Sequence, residues 1–217
     1  MIIYRKYNSM NTSHIILILA LLLLIFIIYY NIGKRDMIYT KSDIDNEHYM
    51  VRNVQNKKQA ANMLARVKEN IYAVTNYMSK NLDDPKISNT PKYKEFKPYI
   101  LQLKEKIRGV LVKESSANTV HTSYTINKGE QIVFCIRSKA ISTILNSNNI
   151  HDINLVMYVA LHEISHVACP EYDHTPLFKK IFRFICGEAI EMGIYKKIDF
   201  DVNPREYCGM KINDSII

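Results

Sequence analysis

The sequence predicts an α+β protein that is mostly helical, has a small β-hairpin or sheet, and carries one transmembrane helix ahead of the folded domain. Apolar residues recur at helical spacing in four stretches of the chain, which indicates amphipathic helices. Between Thr119 and Arg137 the pattern changes to that of β-strands. A continuous apolar run, Ile15–Ile28, precedes all of these elements.

The apolar run predicts a membrane-spanning helix once its extension to Ile32 is included. Residues 15–32, at 1.5 Å rise per residue, cover roughly 27 Å, close to the thickness of a thin hydrocarbon layer. Tyr29 and Tyr30 suit a membrane interface and make a poor signal-peptidase site. We therefore expect an uncleaved signal anchor and a single-pass membrane protein; a cleaved signal peptide and a buried core helix are the alternatives.

Charges beside the predicted span give its orientation. Arg5 and Lys6 precede the span, whereas Lys34, Arg35 and Lys41 follow it. The positive-inside rule then favours, by a single charge, a C-terminal domain on the cytoplasmic side.

The chain divides into three predicted segments. Residues 1–33 form the signal anchor, residues 34–56 form a polar tether without helical or strand period, and residues 57–217 form one folded domain. A domain of that size can bury a hydrophobic core.

One predicted helix carries a metal-binding motif. It begins after Asp152 and ends before Pro170, and it contains His162, Glu163 and His166. Histidines four residues apart project from nearly the same helix face, so two neutral imidazoles can bind one zinc ion. This is the H-E-x-x-H arrangement of metallopeptidases, in which the glutamate is the catalytic general base.

A third histidine follows the motif. Thr175 predicts an N-cap and Pro176 a first helical residue, which would fix His174 just ahead of a second helix. Three histidines leave a fourth position for water, as in catalytic rather than structural zinc sites. Glu171 and Asp173 are alternative oxygen donors, and polar residues that meet by chance are the alternative to any metal site.

Other candidate groups lie outside the motif. Glu206 and Tyr207 are candidates to fold back to the metal, Glu206 as a partner of a metal ligand and Tyr207 as an oxyanion donor; ordinary surface or core positions are the alternative. The runs Tyr124–Ile126 and Gln131–Ile136 predict a hairpin, whose edge is a hypothetical peptide-binding strand.

The cysteine spacing and the charge distribution argue against two other kinds of site, a cysteine zinc site and a nucleic-acid interface. The four cysteines have no C-x-x-C spacing, which argues against a cysteine zinc site; disulfides remain open if the domain is lumenal, and buried free thiols are the default interpretation. The net charge of +8 is dispersed, without a basic run among aromatics or a glycine-rich phosphate loop, so nucleic acid is not an expected partner.

The motif residues resemble a known family. His162-Glu163-x-x-His166 followed by His174-x-x-x-Phe178 is similar to the WLM and SprT-like zinc metallopeptidases. The wider pattern resembles small membrane-anchored members encoded by large DNA viruses, through Thr122-Ser123-Tyr124, Lys128-Gly129-Glu130, Cys135-Ile136-Arg137 and Asn203-Pro204-x-Glu206-Tyr207-Cys208-Gly209-Met210. The chain departs from the family in having no tryptophan and a longer loop between the second and third histidines.

The resemblance, which covers about residues 50 to 217, implies both fold and activity. It implies a zincin-like domain with a small sheet beside the metal-binding helix, Zn²⁺ as cofactor, and hydrolysis of a peptide or protein substrate. The chain would then be a membrane-anchored metallopeptidase of a host or virion membrane. A catalytically silent structural virion membrane protein that retains the zincin fold is the alternative, and the oligomeric state stays open.

Overall fold

The computed structural model describes residues 12–33, 36–138 and 149–216. The chain forms two compact units, Met1–Asp36 and Met37–Ile217. The first unit holds a single helix within its described residues, and the second holds all other described helices and strands.

The described residues form six helices and seven strands. The helices are α1 (Thr12–Gly33), α2 (Lys57–Asn81), α3 (Pro85–Ser88), α4 (Pro91–Lys106), α5 (Ile153–Ala168) and α6 (Pro176–Glu191). The strands are β1 (Met37–Lys41), β2 (His48–Arg52), β3 (Leu111–Glu114), β4 (Tyr124–Ile126), β5 (Gln131–Phe134), β6 (Arg205–Tyr207) and β7 (Met210–Ile212).

Helices α5 and α6 each begin with a side-chain cap. The Asp152 carboxylate accepts a hydrogen bond from the Asn154 amide at the start of α5, and Thr175 caps α6 by accepting from Phe178 N. Pro176 is the first residue of α6, where its missing N–H costs nothing. Both predicted caps are confirmed, because capping depends only on residues within one helical turn.

Helix α5 lies at the centre of the second unit. Of its 16 residues, 12 are buried, so it is covered on nearly all sides rather than along one stripe. It packs against α2, α4 and α6 and against strands β4 and β5. A helix held on so many sides is a rigid support for the groups it carries.

The sheet beside α5 contains the predicted hairpin. Its strand order is β3-β5-β4, with β3 parallel and β4 antiparallel to β5, so β4 lies at the edge. Residues Asn127, Lys128 and Gly129 make the connecting turn with positive φ values of 49, 53 and 117°. The hairpin prediction is confirmed, and β4 packs on α5.

The structure contradicts the prediction of a membrane-spanning segment. Helix α1 covers the predicted span 15–32, yet within the described residues no helix combines the length and apolar character that a bilayer crossing requires. The expectation of a single-pass membrane protein with a cytoplasmic C-terminal domain is therefore wrong; residues 1–11 lie outside the described part.

The predicted fold class, a zincin-like domain behind one transmembrane helix, is also wrong. The structure is α+β, but no zincin fold is shown. Its described strands form three separate sheets of two, three and two strands, and the three-stranded sheet packs against α5. The other two sheets are hairpins, in which β1 pairs with β2 and β6 pairs with β7. Among the described strands, these hairpins therefore do not extend the three-stranded sheet beside α5.

Residues 37–52 form a hairpin within the segment where the sequence predicts a polar tether. Strand β1 pairs with β2, and Tyr49 and Val51 of β2 are buried at alternate positions. This hairpin packs against α2. The apolar side chains of this segment are too few and too scattered for a strand period to be recognised in the sequence. Tyr49 and Val51 become buried because the hairpin packs on the surface of α2.

A buried ion pair links segments at the ends of β2, β3 and β5. Arg137 Nε donates to Glu114 Oε1 at 2.6 Å, and both side chains are about 1% exposed. The second carboxylate oxygen accepts from the Arg52 amide at 2.8 Å. The pair therefore links the end of β2, the end of β3 and the segment after β5.

We predict that Glu114→Ala destabilises the protein strongly. The substitution leaves the Arg137 guanidinium buried without its counter-charge, which costs about 3–5 kcal/mol. Glu47→Ala is the matched control, because Glu47 pairs with Lys68 at the surface and its loss should cost about 1 kcal/mol or less. Urea unfolding of both variants measures the difference, and equal losses would contradict the prediction.

Candidate metal centre

Two histidines meet on one face of α5. His162 and His166 are one helical turn apart, and their Nε2 atoms lie 3.1 Å from each other. The buried helix backbone fixes both Cα positions, so this approach follows from helix geometry. The structure thus brings together the two imidazoles that the sequence motif selects.

His174 joins them from the loop between α5 and α6. Its Nε2 lies 3.2 Å from that of His166 and 3.0 Å from that of His162. The loop reverses at Asp173, which has a φ of 63°, and the Thr175 cap follows directly. The third histidine is therefore placed by a tight turn and a helix start.

The three nitrogens cannot satisfy one another by hydrogen bonds. A ring nitrogen carries either a proton or a lone pair, so among three such atoms at least two are alike. Every pair here lies within 3.2 Å, and the like pair must therefore repel. A cation that accepts all three lone pairs removes this conflict.

The spacing fits a small divalent ion. Imidazole nitrogens about 2.0–2.1 Å from a tetrahedral zinc lie roughly 3.3–3.4 Å apart. The observed separations of 3.0–3.2 Å are close to that value. Within the described residues, this triad is the one group of His, Cys, Asp or Glu side chains whose ligand atoms converge in this way.

Burial keeps the imidazoles neutral. Burial is the main cause, and neighbouring histidines add to it; together they lower the pKa of His162 to about 3 and contribute to a pKa of about 4 for His166. Neutral imidazole is the form that binds metal ions. At neutral pH both rings therefore offer a lone pair.

Phenylalanine rings of α6 hold the imidazoles in place. Phe178 stacks on His166 with ring centroids 4.2 Å apart, and Phe182 meets the His162 ring edge to face at 5.2 Å. Aromatic packing of this kind restricts ring rotation. Phe178 is the aromatic residue that the sequence places four positions after His174.

Glu163 lies beside the histidines and is buried. Its side chain is 4% exposed, and Oε2 accepts a hydrogen bond of 2.8 Å from Thr125 Oγ1 on β4. Burial raises the pKa of Glu163 to about 7, and the bond from Thr125 opposes that rise. The carboxyl group is thus held by the edge strand.

A cavity of about 420 Å³ opens on these groups. The three histidines, Glu163, Lys128 and Tyr172 are among the residues that line it. A space of this size suits a small ligand or part of a larger one.

The two predicted residues of the C-terminal tail are placed differently. Tyr207 is buried and lines a neighbouring cavity of about 340 Å³ together with His162, Glu163 and His174. Its hydroxyl lies 2.7 Å from Ser123 Oγ. Glu206 is exposed, accepts from the Gly209 amide at 2.6 Å, and lines none of the described cavities at the histidines.

Sequence reasoning missed several groups that shape this site. Besides Thr125 and Ser123, Lys128 donates from Nζ to the carbonyl oxygens of Cys169 and Glu171, both at 2.7 Å, and so ties the hairpin turn to the loop of His174. Their partners are distant along the chain, and no local pattern reports such contacts.

Two of the four cysteines form a disulfide, so the default expectation of buried free thiols is wrong for this pair. Cys135, after β5, is bonded to Cys208, between β6 and β7. Cys169 and Cys186 are free and buried, as the default interpretation expects. The disulfide and the lysine bonds together connect the segments around the cavities.

Comparison with known proteins gives relatives but no activity. No protein-family profile matches the chain, and no solved structure matches it. The chain is 41% identical over 86 residues to uncharacterized protein 136R of Invertebrate iridescent virus 6, covering 40% of this chain and 44% of that protein. It is 38% identical over 73 residues to uncharacterized protein 042R of Invertebrate iridescent virus 3, covering 34% and 42%.

A further relative extends over almost the whole chain. Uncharacterized protein R325 of Acanthamoeba polyphaga mimivirus is 40% identical over 209 residues, which cover 95% of this chain and 99% of that protein. None of the three names states an activity, so the resemblance to WLM and SprT-like peptidases is neither supported nor refuted by them. At this identity and coverage, the chain belongs to the same protein family as uncharacterized protein R325 of mimivirus.

Proposed function

We propose that the protein is a zinc-dependent metallopeptidase that hydrolyses peptide bonds in a peptide or protein substrate. The observation that carries the proposal is the meeting of three imidazole nitrogens within 3.2 Å next to the buried carboxyl group of Glu163. The cavity of about 420 Å³ gives a substrate access to both.

Zinc is the ion we propose for the triad. It prefers four ligands and readily accepts imidazole, so His162, His166 and His174 would hold it and leave one position open. When bound, zinc supplies a Lewis acid that polarises a substrate carbonyl and lowers the pKa of a water molecule toward 7.

Glu163 is the proposed general base. Thr125 holds its Oε2 atom, which leaves Oε1 to accept a proton from the attacking water in the cavity. The same carboxyl group then passes that proton to the amine that leaves. Because α5 and β4 position the glutamate from two sides, the carboxyl group keeps one orientation through both transfers.

Tyr207 is the proposed oxyanion donor. Tyr207 lines the cavity that His162 and Glu163 also line, and its hydroxyl lies 2.7 Å from Ser123 Oγ, which orients it. A phenol in this position donates to the negative charge that develops on the substrate oxygen. Glu206 has no role in the proposed reaction, because it is exposed and bonded to its own hairpin turn.

We predict that the full chain binds about one zinc ion per molecule. Substituting any one of His162, His166 or His174 by alanine removes a ligand and should sharply lower zinc content after dialysis against a metal-free buffer. His48→Ala is the control, since His48 is exposed on β2 and outside the triad. Inductively coupled plasma mass spectrometry measures zinc per chain, and full zinc content in all three triad variants would contradict the assignment.

We predict that Glu163→Gln keeps zinc but lowers peptide hydrolysis by at least about 100-fold, because the amide cannot accept the proton of water. Release of fluorescent fragments from a labelled denatured protein gives the rate. Glu105→Gln on the exposed face of α4 is the control for the change of charge. Undiminished hydrolysis by Glu163→Gln would exclude this residue as the base.

The same measurements separate the alternative function. A structural protein that retains the metal site without turnover would contain zinc and cleave none of the tested proteins. Absence of zinc from the wild-type chain would remove both the enzyme and this alternative.

A further inference from the structure

The cavity of about 340 Å³ differs in character from the cavity that opens on Lys128. The two cavities share Ser123, His162, Glu163 and His174. The rest of the smaller cavity's lining is mainly apolar, with Tyr158 and Val159 from α5 and Met210 and Ile212 from β7. The larger cavity is instead lined by Lys128 and the acidic residues of the histidine loop. The proposed peptidase site therefore has a polar side and an apolar side.

The apolar side depends on a hairpin with little support of its own. Strands β6 and β7 have three residues each and pair only with each other among the described strands. Neither strand packs extensively against any other described helix or strand. An isolated two-stranded hairpin is marginally stable in water, so other contacts must hold it.

Those contacts are concentrated at the hairpin turn. Cys208 and Gly209 form a two-residue turn with φ values of 55° and 85°, both in the left-handed region that such turns require. Cys208 is covalently bonded to Cys135 at the end of β5. The turn is thereby fixed to the sheet that packs on α5.

Tyr207 strengthens the same attachment. Its hydroxyl contacts Ser123 Oγ, and that oxygen also accepts a hydrogen bond of 3.1 Å from the Cys135 amide. The Tyr207 ring packs on the His151 ring with centroids 5.1 Å apart. The disulfide and the tyrosine thus hold the turn end of the hairpin. Met210 is the first residue after that turn.

We propose that the Cys135–Cys208 disulfide holds the β6–β7 hairpin as the wall of an apolar subsite, which receives an apolar side chain of an extended peptide next to Glu163. The inference rests on the proposed function for the identity of the ligand as a peptide. Met210 is the specificity-determining residue of this wall, and Cys135 and Cys208 are positioning residues that act through it.

The test measures binding rather than turnover. The full chain is loaded with zinc in the Glu163→Gln background, so that a bound peptide stays intact. The probes are two fluorescein-labelled peptides of glycine and serine that differ only in a central leucine or aspartate. We expect the leucine peptide to bind roughly tenfold more tightly, as for one apolar side chain in a pocket.

Variants then assign that preference to the hairpin. Met210→Ala and the double substitution Cys135→Ser with Cys208→Ser should both reduce the preference toward unity, with zinc content unchanged. Lys211→Ala is the matched control, because Lys211 is an exposed neighbour on β7 that does not line the cavity. If the double variant fails to fold, Met210→Ala decides alone, since Met210 is half exposed and its truncation leaves the core intact.

The outcomes also distinguish this inference from the proposed function. No preference for leucine, or a preference that Met210→Ala leaves unchanged, overturns the subsite even if the wild-type chain cleaves protein. A preference that depends on Met210 and on the disulfide supports the subsite. It does so even if the wild-type chain cleaves nothing, in which case only the proposed hydrolysis fails.

Discussion

The mutual approach of three imidazole nitrogens is the constraint on which the site depends. Neutral rings at 3.0–3.2 Å cannot pair all their lone pairs and protons, and a cation that accepts all three lone pairs would relieve this conflict. The surrounding structure holds the rings there nonetheless. Helix α5 is buried on nearly all sides, α6 supplies aromatic rings against His162 and His166, and Lys128 ties the histidine loop to the hairpin turn.

Features encoded within one or two helical turns could be predicted from sequence. The caps at Asp152 and Thr175 and the hairpin before Arg137 follow from local side-chain and turn chemistry, and all three are present. The face shared by His162 and His166 follows from helix pitch alone. The approach of His174 depends also on the path of the loop before α6, which the sequence pattern does not fix.

Features that depend on distant partners could not be predicted. Thr125 meets Glu163 across 38 positions, and Cys135 meets Cys208 across 73, so neither contact leaves a local pattern. The β1–β2 hairpin was missed because its buried side chains are selected by the surface of α2. The membrane segment predicted from the apolar run is wrong, since no helix among the described residues has both the length and the apolar character that a bilayer crossing requires.

We propose that three histidines of this chain bind one zinc ion with a fourth position left for water. X-ray absorption spectroscopy at the zinc edge, on the purified full chain, measures the ligands of that ion directly. We expect nitrogen scatterers at about 2.0–2.1 Å with the signature of three imidazoles, together with one further oxygen. Sulfur scatterers at about 2.3 Å, or a first shell without imidazole, would contradict it.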